Sequence, residues 1–230
     1  MKTATVFGAS GGLAHALCQE LLAQGWQVDA VSRSARAARV QQTFAAHIAS
    51  GQMRLSLVQD RYSEFTFSRS NDAVFLTQAL FEPMPLAAMT AQGVSDEVTV
   101  GLTDPMNLVR SFLHAFPSVP GMRRNICFVG STSAYAGFEN TSVYCALKHG
   151  LLGFVRALNQ EYAATDDRFW LFSMGTMHTE MGRKVLGQDS SSYLNPLDVA
   201  QRMVSAIADP SNVFEPEVIM RRRTIKFLEP

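Results

Sequence analysis

Seven short β-rich runs, at residues 4–7, 27–31, 53–58, 73–77, 125–130, 170–174 and 217–220, alternate along most of the chain with helical patterns. Strand, helix and strand at this rhythm lie in one sheet only through crossover connections, which make the strands parallel. The pattern over residues 13–24 sets Leu13, Leu17 and Leu21 on one stripe and stops at Gly25, a residue that ends helices. Residues 143–162 and 196–207 repeat that logic. The expected fold is therefore α/β, a doubly wound parallel sheet of about seven strands, with ligands at the carboxyl ends of the strands. Residues 81–103, interrupted by Pro83, Pro85 and Gly93, read as a loop with a short helix. No repeat, low-complexity segment or domain boundary divides the chain, so residues 1–230 are expected to form a single domain.

Composition narrows the function. Lys and Arg number 20 and so do Asp and Glu, which leaves no net field for nucleic acid or an anionic membrane surface. Cys18, Cys127 and Cys145 are odd in number and lack metal-ligand spacing, so neither a disulfide framework nor a metal site is expected. No basic and apolar leader opens the sequence, and no apolar run reaches the roughly 18 residues of a membrane span. A cytoplasmic protein with a small-molecule site is the expectation.

The first strand runs into "TVFGASGGLAHAL", residues 5–17, where five small residues separate an apolar run from a helix. A strand that turns through Gly8, Ser10, Gly11 and Gly12 into a helix beginning at Leu13 aims bare amides at the crevice, a cradle for a pyrophosphate. Gly8 permits the tight turn, Gly12 a close approach to phosphate, and Ala14 close packing of the helix on its strand. The glycines fit both GxxxGxA and GxxGxxA. This is the dinucleotide-binding turn of a Rossmann sheet. The second strand ends in "AVSRSAR" with no carboxylate for ribose hydroxyls; Ser32, Arg33 and Ser34 stand there instead, with Arg36 nearby. Those groups suit a 2′-phosphate, so NADP(H) is the expected cofactor.

The segment "GSTSAYAGFENTSVYCALKHG" resembles the short-chain dehydrogenases/reductases, in which a Ser after the fifth strand is followed thirteen residues later by a Tyr and four later by a Lys. Ser131, Tyr144 and Lys148 match that spacing. The resemblance implies an NADP-dependent oxidoreductase acting on a carbonyl or secondary alcohol. Tyr144 would exchange the proton, Ser131 would hold the substrate oxygen, and Lys148 would bind the nicotinamide ribose and tune the tyrosine. It also implies that Asp60, in "LVQDRY", accepts from the adenine amino group and that Thr179, in "MGTMHTEM", holds the nicotinamide carboxamide. Asn107, in "MNLVRSF", would hold a water beside Lys148, unless a gapless alignment puts Asp104 there. "LTQA", residues 76–79, departs from the family's N-N-A-G, and residues 180–196 would form a short substrate lid. Pairing of two helices into a homodimer or homotetramer is implied as well; Leu151, Leu152, Phe154 and Val155 spread around the helix at 143–162 as if for a partner. A silent NADP(H)-binding redox sensor and a sugar-nucleotide epimerase or dehydratase are the alternatives. "RRR", residues 221–223, reads as a solvated tail.

Overall fold

The strands are apolar on both faces, and such strands are stable only with helices on either side. In the computed structural model, which describes residues 1–211 and 213–225, seven parallel strands form one sheet: β1 (Thr3–Phe7), β2 (Gln27–Arg33), β3 (Met53–Val58), β4 (Ala73–Leu76), β5 (Asn125–Val129), β6 (Arg168–Met174) and β7 (Glu217–Met220). Their order is β3-β2-β1-β4-β5-β6-β7. The direction of winding reverses between β1 and β4, which opens a crevice at their carboxyl ends.

Side-chain alternation divides the core. Ala4, Val6, Phe75 and Phe172 point to one face, covered by α1 (Gly12–Ala23), α2 (Ala37–Thr43), α3 (Ala45–Ala49) and α7 (Pro196–Ala208). Phe7, Val74, Phe128 and Leu171 point to the other, under α5 (Asp104–Ala115) and α6 (Ser142–Glu161). α1 stops where Gly25 turns to φ 78°, with its N–H and that of Trp26 returned to the carbonyls of Leu22 and Leu21. α7 starts where Asn195 accepts from the Leu197 amide at 2.9 Å, with Pro196 next in line.

Two expectations change. The segment 81–103 holds more helix than its breakers suggest: α4 (Ala91–Val98), capped by Thr90, leads through a π turn (Thr99–Thr103) into α5. Pro105 has no N–H for the carbonyl of Gly101, and a π turn is the way a helix absorbs such a gap without ending. Second, the apolar residues of α6 are used within the chain. Leu151, Leu152 and Val155 are buried in its own core, and Phe154 stands edge-on to Phe128 at 5.8 Å.

Candidate active site

The site is built at the crevice from β1 outward. Gly8 has φ 76°, a conformation glycine adopts freely, and its carbonyl accepts from the Gly11 amide at 2.8 Å to close the turn. A Cβ on Gly12 would lie 2.6 Å from the Thr179 methyl. The loop after β6 therefore rests on the first turn of α1, and only glycine fits beneath it. Gly11 caps α1 without a side chain, so the leading amides at Gly12 and Leu13 have no side-chain partner there. Uncapped amides at a glycine turn fit a pyrophosphate, so these residues suit a dinucleotide.

At the end of β2 the roles separate. The hydroxyl of Ser32, fully buried, donates to the Arg33 carbonyl at 3.2 Å, and that of Ser34 to the Val58 carbonyl at 3.2 Å. Arg33 and Arg36 lie near the buried Tyr62, their charges opposing the rise that burial gives its hydroxyl, while Arg39 reaches the Ser10 carbonyl at 3.4 Å. Three guanidinium groups thus gather between the glycine turn and β2. Asp60 is exposed at the end of β3.

The reacting groups expected from the sequence come together at α6. Ser131 follows β5, accepts from the Ser133 amide at 3.1 Å and lies near the Tyr144 hydroxyl. Burial pushes the Tyr144 hydroxyl up to about 12, against the hydrogen bond from Ser131, and the nearby Glu97 carboxylate adds to the rise. Lys148 is one turn further along; its Nζ donates to the Val129 carbonyl at 2.7 Å and lies 5.4 Å from the Tyr144 ring centre. Burial lowers the Lys148 ammonium to about 8.

That shift makes a stability prediction. Above pH 8 the folded protein carries a neutral lysine, whereas the unfolded chain keeps the proton to about 10.5. The unfolded state binds more protons in that window, so stability rises with pH by on the order of 3 kcal/mol between pH 8 and 10.5. Urea unfolding of Lys148→Met across the same range should lose this rise; equal slopes in variant and wild type would mean that Lys148 titrates normally.

Of the two candidates for the fourth position, Asp104 is committed elsewhere. The Asp104 carboxylate is fully buried, where it pairs with Arg61 at 3.1 Å and accepts from the Tyr62 amide at 3.3 Å. Asn107 is half-buried on α5, and no hydrogen bond connects it with Lys148 among the described residues. The residue packed against this turn of α6 is Gly101, whose Cβ would lie 2.9 Å from Leu147. The π turn around it, foreshadowed only by Gly101 and Pro105, brings the helix that close.

Three further residues belong to the site. Phe81 meets the Tyr144 ring edge-on at 4.8 Å. Glu97, buried on α4, accepts from the Glu82 amide at 2.8 Å, and burial raises its carboxyl. Lys184, in the segment after β6, pairs with Glu82 and donates to the Phe81 carbonyl at 3.1 Å. This link ties residues 182–184 to the loop beyond β4, beside Tyr144. None of the three carries a sequence signal, because each is set by tertiary contact. The expected solvated tail is also anchored at its centre: Arg222 donates to Gln188 at 2.7 Å and lies over the Tyr193 ring.

A family model described as short chain dehydrogenase matches residues 2–189. The chain belongs to the short-chain dehydrogenase family. It is an oxidoreductase of that family with an NAD(P)-binding Rossmann fold. Carbonyl reductase family member 4 of Xenopus tropicalis is 26% identical over 220 residues, covering 91% of this chain and 92% of that protein. Among solved structures, an alcohol dehydrogenase from the archaeon Thermococcus sibiricus, complexed with 5-hydroxy-NADP, superposes with TM-score 0.82 at 19% identity, covering 100% of this chain and 99% of that one. A 4-hydroxyisoleucine dehydrogenase complexed with NADH superposes with TM-score 0.77 at 18% identity, covering 96% and 97%. Both likenesses carry the fold, which accommodates either nicotinamide cofactor. No helix among the described residues of this short-chain dehydrogenase is long and apolar enough to cross a membrane.

Proposed function

We propose that the chain is an NADP(H)-dependent reductase that interconverts a carbonyl compound and a secondary alcohol. The observation that carries this is the gathering of Ser131, Tyr144 and the buried Lys148, whose Nζ lies 5.4 Å from the Tyr144 ring centre. The nicotinamide, when bound, supplies or accepts the hydride. Reduction of a carbonyl makes an alkoxide, which needs a proton as it forms. Tyr144, protonated at neutral pH because burial raises it, holds that proton at its hydroxyl. Ser131 donates to the substrate oxygen, and the Lys148 ammonium favours the phenolate that Tyr144 becomes.

Cofactor contacts are assigned to the Gly11, Gly12 and Leu13 amides with Gly8 and Ser10 for the pyrophosphate, Asp60 for the adenine, Lys148 for a ribose and Thr179 for the carboxamide. Arg33, with Arg36 and Arg39, takes the 2′-phosphate; Ser32 and Ser34 shape that loop through their bonds to backbone carbonyls. Residues 180–196 act as the substrate lid, latched by Lys184 to Glu82. The name carbonyl reductase on a relative matched over most of its length favours a carbonyl substrate. A redox sensor would have no use for a proton donor beside a buried lysine.

The test is a panel of ketones, aldehydes and β-ketoesters with NADPH consumption followed at 340 nm. Turnover with any member above the no-substrate rate supports the reading, and binding of NADPH without turnover across the panel favours the sensor. A homodimer or homotetramer belongs to the same proposal and is carried by the family resemblance. Light scattering is expected to give a multiple of 25.3 kDa at micromolar concentration; a lone 25.3 kDa species refutes assembly.

A further inference from the structure

Residues 81–84, beyond β4, form a strap that three parts of the chain pin beside Tyr144. The Phe81 carbonyl accepts from Lys184 Nζ at 3.1 Å, and Lys184 also pairs with the Glu82 side chain. The Glu82 amide donates to the Glu97 carboxylate of α4 at 2.8 Å. The Met84 amide donates at 2.8 Å to the carbonyl of Asn140, in the loop that leads into α6. Asn140 has φ 59°, a left-handed conformation that asparagine adopts more readily than most residues.

The strap sets the place of the Phe81 ring, which is 9% exposed and meets the Tyr144 ring edge-on at 4.8 Å. A proton donor works only within hydrogen-bond distance of the oxygen it serves, so a substrate carbonyl on Tyr144 lies within a side-chain length of Phe81. Of the two substituents on that carbonyl, the one on the side of the strap meets the ring. A packed aromatic wall accepts a hydrogen or a methyl there and penalises each further methylene. The anchor beneath the ring is itself unusual. Glu97 is 2% exposed and forms no salt bridge among the described residues; burial disfavours its charge, and a glutamine would offer the same acceptor at lower cost. A carboxylate holds an amide more firmly than a carboxamide does, which gives the charge a use.

We propose that Phe81 limits the size of the smaller substituent on the substrate carbonyl, so that the site takes aldehydes and ketones with one small group, and that Glu97 is the positioning residue that holds Phe81. This rests on the reading of Tyr144 as the proton donor to the substrate oxygen.

Two pairs of ketones test it with NADPH: 2-heptanone against 4-heptanone, and ethyl acetoacetate against ethyl 3-oxohexanoate. Within each pair the smaller substituent changes from methyl to propyl. Wild type should favour the methyl ketone in kcat/KM by roughly 10-fold or more, and Phe81→Ala should bring the ratio within about threefold of unity. Phe81→Leu, a milder change in a buried ring, should fall between. Glu97→Leu, which keeps the bulk and drops the acceptor, should lower the ratio about threefold or more, and Glu97→Gln should restore most of it. Fluorescence titration with NADPH identifies the variants that are folded. A role in stability alone would slow both members of a pair alike and leave the ratio intact. Equal rates of wild type on both members, or a wild-type ratio in the folded Phe81 variants, overturns the size limit and leaves Tyr144 as the donor. A wild-type ratio in Glu97→Leu overturns the role of Glu97. If wild type reduces aldehydes only, Phe81→Ala should gain the methyl ketones, and failure to gain them overturns the proposal in the same way. If wild type reduced no carbonyl compound at all, the functional reading would fall with it.

Discussion

Tyr144→Phe is expected to lower turnover about 10²–10⁴-fold while NADPH affinity stays unchanged. The ring keeps its neighbours, Phe81 at 4.8 Å and Lys148 Nζ at 5.4 Å, so packing survives and only the hydroxyl is lost. Burial raises that hydroxyl to about 12, so at neutral pH it is a loaded proton donor in the direction of carbonyl reduction. Steady-state rates with fluorescence titration of NADPH separate the two quantities. A variant that kept more than about a tenth of wild-type turnover would remove Tyr144 from the proton step, given the size such steps have. The pH profile gives a second reading. Lys148 sheds its charge near pH 8, and with it the field that favours the Tyr144 phenolate. Reduction by the wild type should therefore slow as pH rises through 8, and Lys148→Met should be slow throughout.

What was legible in the sequence was local. The turn through Gly8 and Gly12, the strand and helix periodicities and the spacing of Ser131, Tyr144 and Lys148 each depend on residues near one another in the chain, and the structure places all of them at one crevice. The helix leading into α5 was hidden because Gly93, Gly101 and Pro105 are breakers in isolation; packing of Gly101 on Leu147 and of Leu102 over Gly150 makes a bent helix worthwhile. Asp104 looked available for the reacting group only because Arg61, 43 residues earlier, could not be placed beside it. Glu97 was silent for the same reason. A polar residue becomes informative when it is buried, and burial is a tertiary property. Ser32 and Ser34 show another side of this: their residue types suit a phosphate, and without one their hydroxyls bond backbone carbonyls.

That last point bears on cofactor choice, because it makes the arginines the first groups to examine for what distinguishes NADPH from NADH. Arg33 ends β2 beside the buried Tyr62, so its guanidinium has a neighbour on the protein side before any ligand arrives. A guanidinium with such a neighbour loses less freedom when it binds phosphate than one swinging in solvent. A charge-assisted bond of about 1.5–3 kcal/mol then gives a preference of roughly 10- to 150-fold for NADPH from Arg33 alone. Arg36 adds little that is already committed, since its pairing with Glu180 at 3.6 Å joins two exposed side chains. Arg33→Ala should weaken NADPH by that factor and leave NADH nearly unchanged, because the turn at Gly8 to Gly12 is untouched. Tyr62→Phe is the control. It removes the neighbouring hydroxyl and keeps the charge, so it should weaken NADPH by less than Arg33→Ala while leaving NADH alone. Titration of both cofactors against wild type and the two variants decides the matter. Equal affinities in the wild type, or equal losses of both cofactors in Arg33→Ala, would make Arg33 a support for Tyr62 and the fold, and the 2′-phosphate would have no dedicated partner at the end of β2.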